Sequence, residues 1–325
     1  MALGFPAVQM RIALLIIGVA VAASACGGDD DSSTLNIYTS VTQDTVDVVV
    51  EAFEASNPGV EVEVFRAPTG ELAARLAAEQ REGGIRADIL WMTDPLSVQQ
   101  YDAEGLLLAW QPDGLDAVPE ESRSDTFWGT RVLSMVVVHG ADVPAPVSWA
   151  DLAGQAYTGG LAVPDPGFAG SALGALGFFA LDDDHGFDFY EALAANGAVQ
   201  VPSPGEVVSG VAEGRFLAGM TLEFSARGAI DKGSPILMTR PLPGAIGIYS
   251  PIAVVKGADG EAVARDFVEY VLSIEAQAAI AATGWRPVRE DVEWDRSGGI
   301  VFPDWSEVFD RRDELLDTYY VVFGG

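Results

Sequence analysis

The chain is poor in the residues that most catalytic and nucleic-acid-binding proteins rely on. Its 325 residues hold one cysteine, Cys26, two histidines, His139 and His185, and two lysines, Lys232 and Lys256. A lone cysteine excludes an internal disulfide, so packing alone must hold the fold together. Eighteen basic residues against 48 acidic ones give a net charge of −30. Nucleic acid is therefore excluded as a partner, because phosphate binding rests on clustered Lys and Arg. The acids are scattered, not blocked, which reads as a solvated surface and not as a cation trap. No nucleophile elbow, phosphate-binding P-loop or HExxH pattern is present. With 48 acids, chance carboxylate pairs are certain, so a secreted hydrolase has no specific support and the chain reads as not an enzyme. A hydrophobic content of 49% excludes disorder.

What the chain does have begins with an apolar run. IALLIIGVAVAASA follows Arg11, carries no charge and ends at Cys26, after which GGDDDSS reads as a soluble spacer. The run is shorter than the roughly 20 residues of a membrane-crossing helix. It resembles a bacterial lipoprotein signal, with Ala23 where Leu is commoner. The resemblance implies residues 1–25 as signal peptide, lipidation of Cys26 and 26–34 as a flexible linker. Two or more acyl chains, at about 0.8 kcal/mol per buried methylene, would anchor the protein stably to the outer face of the cytoplasmic membrane. Removing Arg11 with the signal takes the net charge to −31.

Beyond the spacer, strand and helix patterns alternate. LNIYTS reads as a buried strand, and Val46, Val49, Val50 and Phe53 recur at helical spacing. VEVEVF alternates strictly, ELAARLAAEQ is helical, ADILWM is a short strand, and a helix from Pro95 to Glu104 stops at Gly105. This βαβαβα order marks a parallel sheet covered on both faces. A longer strand, TRVLSMVVVHG, leads into a second α/β set after ADVPAPVS, closed by the strand FLAGMTLEF. Another long strand, IGIYSPIAVV, precedes the helical stretches DGEAVARDFVEYVLS and EAQAAIAAT. The simplest layout is two α/β lobes: 35–130 plus 256–325, and 140–245. Strands 131–139 and 246–255 cross between them as hinges, flanked by Gly129, Gly140, Gly244 and Gly247.

Several blocks then fall in one order: YTS, FEASNPGVEVEVFRAPTGELAARLAAE, ADILWMTDP, GLL at 105–107, SWADLAGQAYTGGLAVPDPGFAGSALGAL, and SPIAVVKGADGEAVARDFVEYVLSIEAQAAIAATGWRPVRED. Together they resemble the ferric-iron and phosphonate type of substrate-binding protein that serves bacterial ABC importers. The resemblance implies a two-lobed, type II periplasmic-binding-protein-like α/β fold that closes over one small solute. It also implies delivery to a permease and its ATPase, no cofactor, and a monomer.

Ligands of open α/β sheets sit beyond the carboxyl ends of strands, where small hydroxyl and glycine residues cluster. Thr39 and Ser40 end the first strand, Thr69 and Gly70 open a helix, and Gly170 and Ser171 open another. Helix N-termini offer unpaired N–H groups and a positive dipole end, suited to a phosphate, phosphonate or carboxylate. Ordinary capping would use the same residue types. Asp94, and Glu223 at the end of its strand, are the candidates for a cationic end of the solute. Arg66 and Arg227 are candidates for pairing an anion bidentately.

The ferric-binding members hold iron with an adjacent tyrosine pair in the second lobe. The corresponding stretch here, MTLEFSARGAIDKGS, has no tyrosine. Tyr319-Tyr320 lies in a terminal helix with Leu315 and Leu316, where packing is the expected role, and neither histidine stands at metal-ligand spacing. An anionic or zwitterionic organic solute, phosphonate-like, therefore leads over ferric iron, with no metal site. A chemoreceptor-partner or adhesin role for the same lobes is the third class.

Overall fold

In the computed structural model, which describes residues 33–324, the alternation seen in the sequence becomes a covered sheet. The signal-like run, Cys26 and residues 27–32 of the spacer lie outside the described residues, whereas Ser33 and Thr34, expected in the flexible linker, are already paired in a strand. Strand β1 (Ser33–Thr39) buries Leu35, Ile37 and Tyr38. Helix α1 (Gln43–Ser56) turns Val46, Val49, Val50 and Phe53 inward, each contributing about 1.5–3 kcal/mol on burial. Strand β2 (Val60–Arg66) exposes Glu61 and Glu63, and α2 (Thr69–Glu82) buries Leu72 and Leu76. Next come β3 (Ile89–Trp91), α3 (Leu96–Ala103) and the long β4 (Phe127–Gly140), buried along all but its last residue.

The second set comprises β5 (Leu161–Pro164), α4 (Gly170–Leu181), α5 (Gly186–Ala195), β6 (Val199–Val201), α6 (Pro204–Ala212) and β7 (Ala218–Leu222). It is followed by α7 (Glu223–Asp231), β8 (Ile236–Thr239) and β9 (Ala245–Val254), buried throughout. The chain ends with α8 (Glu261–Val271), α9 (Ile274–Ala282), β10 (Arg286–Pro287), β11 (Ile300–Val301), α10 (Trp305–Asp310) and α11 (Arg312–Phe323). No helix among the described residues is long and apolar enough to cross a membrane.

The strands form one sheet in the order β2-β1-β3-β9-β4-β7-β5-β6. Strands β1, β2 and β3 are mutually parallel, and so are β5, β6 and β7. Because β9 is antiparallel to both β3 and β4, and β4 is antiparallel to β7, the two parallel sets run in opposite directions. Their carboxyl ends therefore point at each other along the two central strands. A strand spanning 216–224 was expected. The regular pairing stops at Leu222 and Glu223 opens a helix instead, its backbone turning before the side chain can end a strand.

The last seventy residues do not stay together, contrary to the expected assignment of 256–325 to the first lobe. Helices α8 and α9 pack on α1, but α10 packs on α3 and α4, and α11 packs on α4 and α5. Tyr319 inserts edge-on against Tyr190 and stacks on Phe323, so it is part of an apolar cluster. Tyr320 reaches towards Asp165, its Oη 3.4 Å from Oδ1.

Candidate functional site

The register locates a gap between the two facing sets of strand ends. Trp91, the last residue of β3, pairs with Ile252 of β9, whereas Leu222, the last of β7, pairs with Met135, which itself pairs with Ile246 of β9. The six residue steps from Ile246 to Ile252 span about 20 Å at about 3.3 Å per step. Thr130 to Ser134 of β4 and Gly247 to Pro251 of β9 floor this gap. Gly247 is pressed against the ring of Phe302, which leaves no room for a side chain and explains its glycine by close approach.

Helices α1, α2, α4 and α7 start just past β1, β2, β5 and β7, and no side-chain hydrogen bond caps any of them. By contrast Ser203, Ser273 and Asp304 cap α6, α9 and α10. None of these four starts is closed by side-chain capping, so their first-turn N–H groups remain at the gap, those of α4 lying against the Asp94 carboxylate.

The expected site residues divide into three groups. Thr39 is fully buried: its Oγ1 donates to the Trp91 carbonyl at 2.7 Å and accepts from the Val41 amide at 3.0 Å. Ser40 is half-buried, and its Oγ lies 2.8 Å from Thr93 Oγ1 while accepting from the Thr93 amide at 3.0 Å. These two residues lash the β1 and β3 end loops together.

Thr69, Gly70, Asp94 and Gly170 come together around one cavity of about 110 Å³, with Tyr101, Phe168 and Arg312. Asp94 is 1% exposed and caps α3, accepting from the Ser97 amide at 3.0 Å and the Ser97 hydroxyl at 2.8 Å. Burial pushes its carboxyl pKa up, against the lowering effects of Ser97 and the Arg312 charge. Its Oδ2 occupies the space where a Cβ at Gly170 would stand, so a carboxylate of the chain itself covers the first turn of α4. Ser171 is buried behind it.

Glu223 and Arg227 form the third group. Glu223 is engaged by Arg227 Nε at 2.7 Å and by Arg240 through Nη2 at 2.6 Å and Nε at 3.1 Å. Two guanidiniums neutralise this carboxylate, which lines a small cavity with Ser134, Arg240, Trp285 and Arg286. Burial lowers the pKa of Arg286, and Arg296 and Arg240 lower it further.

Sequence reasoning missed the most unusual group, Arg131. It is 1% exposed, its Nε donates to Ser250 Oγ at 3.1 Å, and its Nη1 donates to Thr42 Oγ1 at 3.0 Å. Its guanidinium lies over the Trp285 ring, 4.1 Å from the centroid. Burial, then the charge of Arg66, bring its pKa down to about 9. The signal was available: a charge in the middle of an otherwise apolar strand. Of the histidines, His139 Nε2 meets Thr239 Oγ1 at 3.1 Å and its Nδ1 meets the Gly140 carbonyl at 3.0 Å, while His185 pairs with Asp182. No group of three or more His, Cys, Asp or Glu among the described residues is placed to hold a metal ion.

Residues 35–286 match the family of bacterial extracellular solute-binding proteins. The chain belongs to this family. A Salmonella paratyphi A protein named "Putative 2-aminoethylphosphonate-binding periplasmic protein" is 27% identical over 244 residues, 72% of this chain and 71% of that protein. The fold is that of the periplasmic binding proteins. AfuA of Actinobacillus pleuropneumoniae, solved with fructose-6-phosphate, superposes with a TM-score of 0.78 at 20% identity, over 90% of this chain and 99% of its own. Iron-bound HitA of Pseudomonas aeruginosa gives 0.75 at 19% identity, over 89% and 99%.

Proposed function

We propose that the protein captures a small anionic or zwitterionic solute, phosphonate-like, between the facing strand ends and delivers it to an ABC permease. The observation that carries this reading is the convergence of uncapped helix N-termini on one gap floored by two long strands. The 27% identical Salmonella protein, whose name specifies an aminophosphonate, supports the same chemistry. The strand ends then belong to two lobes that close on the solute, with bending at the β4 and β9 crossings, and closure is what the permease reads. The first lobe comprises residues 35–130 and the α8–α9 region, and the second comprises 140–245 with α10 and α11 docked on it. Thr69, Gly70 and Ser40 are the solute-facing residues of the first lobe, and Gly170 faces them from the second, with Ser171 buried behind it. Cys26 carries the membrane anchor, and the binding protein acts as a monomer. Ferric iron is the competing cargo, favoured by the fold shared with iron-bound HitA.

A thermal-shift screen of phosphonates, phosphate esters, amino acids, polyamines and ferric salts, followed by calorimetry, tests the reading. Stabilisation by phosphonates or phosphate esters is expected. Stabilisation by ferric salts alone, with a visible absorbance band, would overturn it.

A further inference from the structure

Two other shielded arginines each have a carboxylate partner. Arg240 meets Glu223, and Arg289 meets Asp291 at 2.7 Å. Arg131 is more deeply buried than either, yet among the described residues its partners are the hydroxyls of Thr42, Thr45 and Ser250 and the face of Trp285. An uncompensated buried charge is unfavourable by several kcal/mol. In a chain with 48 acids, a nearby carboxylate would have been easy to supply.

The surroundings add positive potential. Arg66 raises the local field, and its Nε donates to the Val41 carbonyl at 2.7 Å, beside the start of α1. The helix end itself contributes about half an elementary charge. The amides of Thr42, Gln43 and Asp44 have no acceptor among the described residues, because the first helical bonds run from Thr45 and Val46 to the Thr42 carbonyl. Arg131 Nη2 likewise makes no hydrogen bond among the described residues, whereas Nε and Nη1 are both used.

The backbone is shaped to hold the guanidinium there. The β4 to β9 register slips between Gly129 and Arg131, leaving Thr130 as an extra residue. Such a bulge re-aims the next side chain. This one is locked: Thr130 Oγ1 donates to the Ser250 carbonyl at 3.0 Å and accepts from Trp91 Nε1 at 2.9 Å, and Gln277 Nε2 donates to the Thr130 carbonyl at 2.7 Å.

We propose that Arg131, with Arg66 and the uncapped first turn of α1, seats the anionic end of the solute and selects a doubly charged tetrahedral oxyanion over a carboxylate. Two guanidiniums and a helix end exceed the charge of one carboxylate, and a phosphonate or phosphate monoester near −2 balances them. Its several oxygens also match the number of free donors. A ferric cation would meet repulsion at this position. The inference rests on the solute-binding reading and names the residue that recognises the solute.

Calorimetry on the full-length chain in detergent, with methylphosphonate, inorganic phosphate, acetate and ferric citrate, tests it. Methylphosphonate and phosphate are expected to bind at least tenfold more tightly than acetate. Arg131→Met should weaken methylphosphonate at least 30-fold while the melting temperature holds or rises, since an unpaired buried charge has been removed. A merely structural arginine would instead lower the melting temperature. Arg66→Met, at a solvent-facing position, should weaken methylphosphonate more than acetate, and it keeps the test decisive if Arg131→Met does not fold. Wild-type oxyanion affinity in both variants would overturn the inference and leave the solute-binding reading standing. A wild-type chain that ignores every anion and takes up ferric ion would overturn both.

Discussion

Trp285 lies flat on Phe224, ring centroids 4.1 Å apart and planes 11° from parallel. Trp285 Nε1 also donates to Thr42 Oγ1 at 3.2 Å, at the start of α1, while Phe224 is the second residue of α7. The stack therefore ties the two facing sides of the gap together. An aromatic pair of this kind contributes about 0.5–1.5 kcal/mol beyond its buried area. Phe224→Ala should weaken solute binding about two- to twelvefold and red-shift tryptophan emission. Unchanged affinity in a fluorescence titration would show that the stack takes no part in closure.

Asp94 supplies a pH dependence. Burial raises its folded pKa above the ordinary 3.8, so the folded chain holds this proton more tightly than the unfolded chain. Stability from this group is therefore greatest at low pH and declines as pH rises from 3.8 through the raised value. Asp94→Asn should flatten that part of the melting-temperature profile and melt higher than wild type at neutral pH. A profile with the wild-type slope would assign the dependence to other carboxylates.

Gly170→Ala would drive a methyl group into the Asp94 carboxylate. Overpacking at such a contact typically destabilises by about 1–3 kcal/mol. The expected result is a lower urea midpoint together with a larger radius of gyration by small-angle scattering, as the strand ends are forced apart. A compact, fully stable variant would mean that Asp94 can swing away freely.

Ser40→Ala removes the hydroxyl that joins the β1 and β3 loops through Thr93. A loss of about 1 kcal/mol in chemical unfolding is expected, because the Thr93 amide loses its acceptor. Identical unfolding curves would show that water replaces the hydroxyl at no cost.

Cys26→Ser should abolish palmitate incorporation and release the protein from membranes. An unlabelled wild type would remove the lipid anchor from the account.

Much of the architecture could be read from periodicity. Val46, Val49, Val50 and Phe53 specified α1, the VEVEVF alternation specified β2, and the buried runs around residues 131–139 and 246–255 became the central strands. The short pieces were not legible. β10 and β11 are two residues each, with too few side chains to show a period, and they exist because β4 and β9 offer free edges. Glu223 was misplaced for a related reason, since Leu-Glu-Phe continues a strand pattern as well as it opens a helix. In the site, small residues at strand ends were visible, but what each one bonds to depends on partners far away in sequence. Thr39 and Ser40 met Trp91 and Thr93, and Glu223 met Arg240. Arg131 was overlooked because a single charge in an apolar strand carries no spacing motif.

Gln277 holds the carbonyl of Thr130 from 147 positions further along the chain, and its own carbonyl oxygen receives the Val288 amide at 3.0 Å. The kink that aims Arg131 is thus clamped by a helix near the end of synthesis. A growing chain has not yet gained this clamp, so the kink stays unfastened until residue 277, most of the way along the 325, has been made.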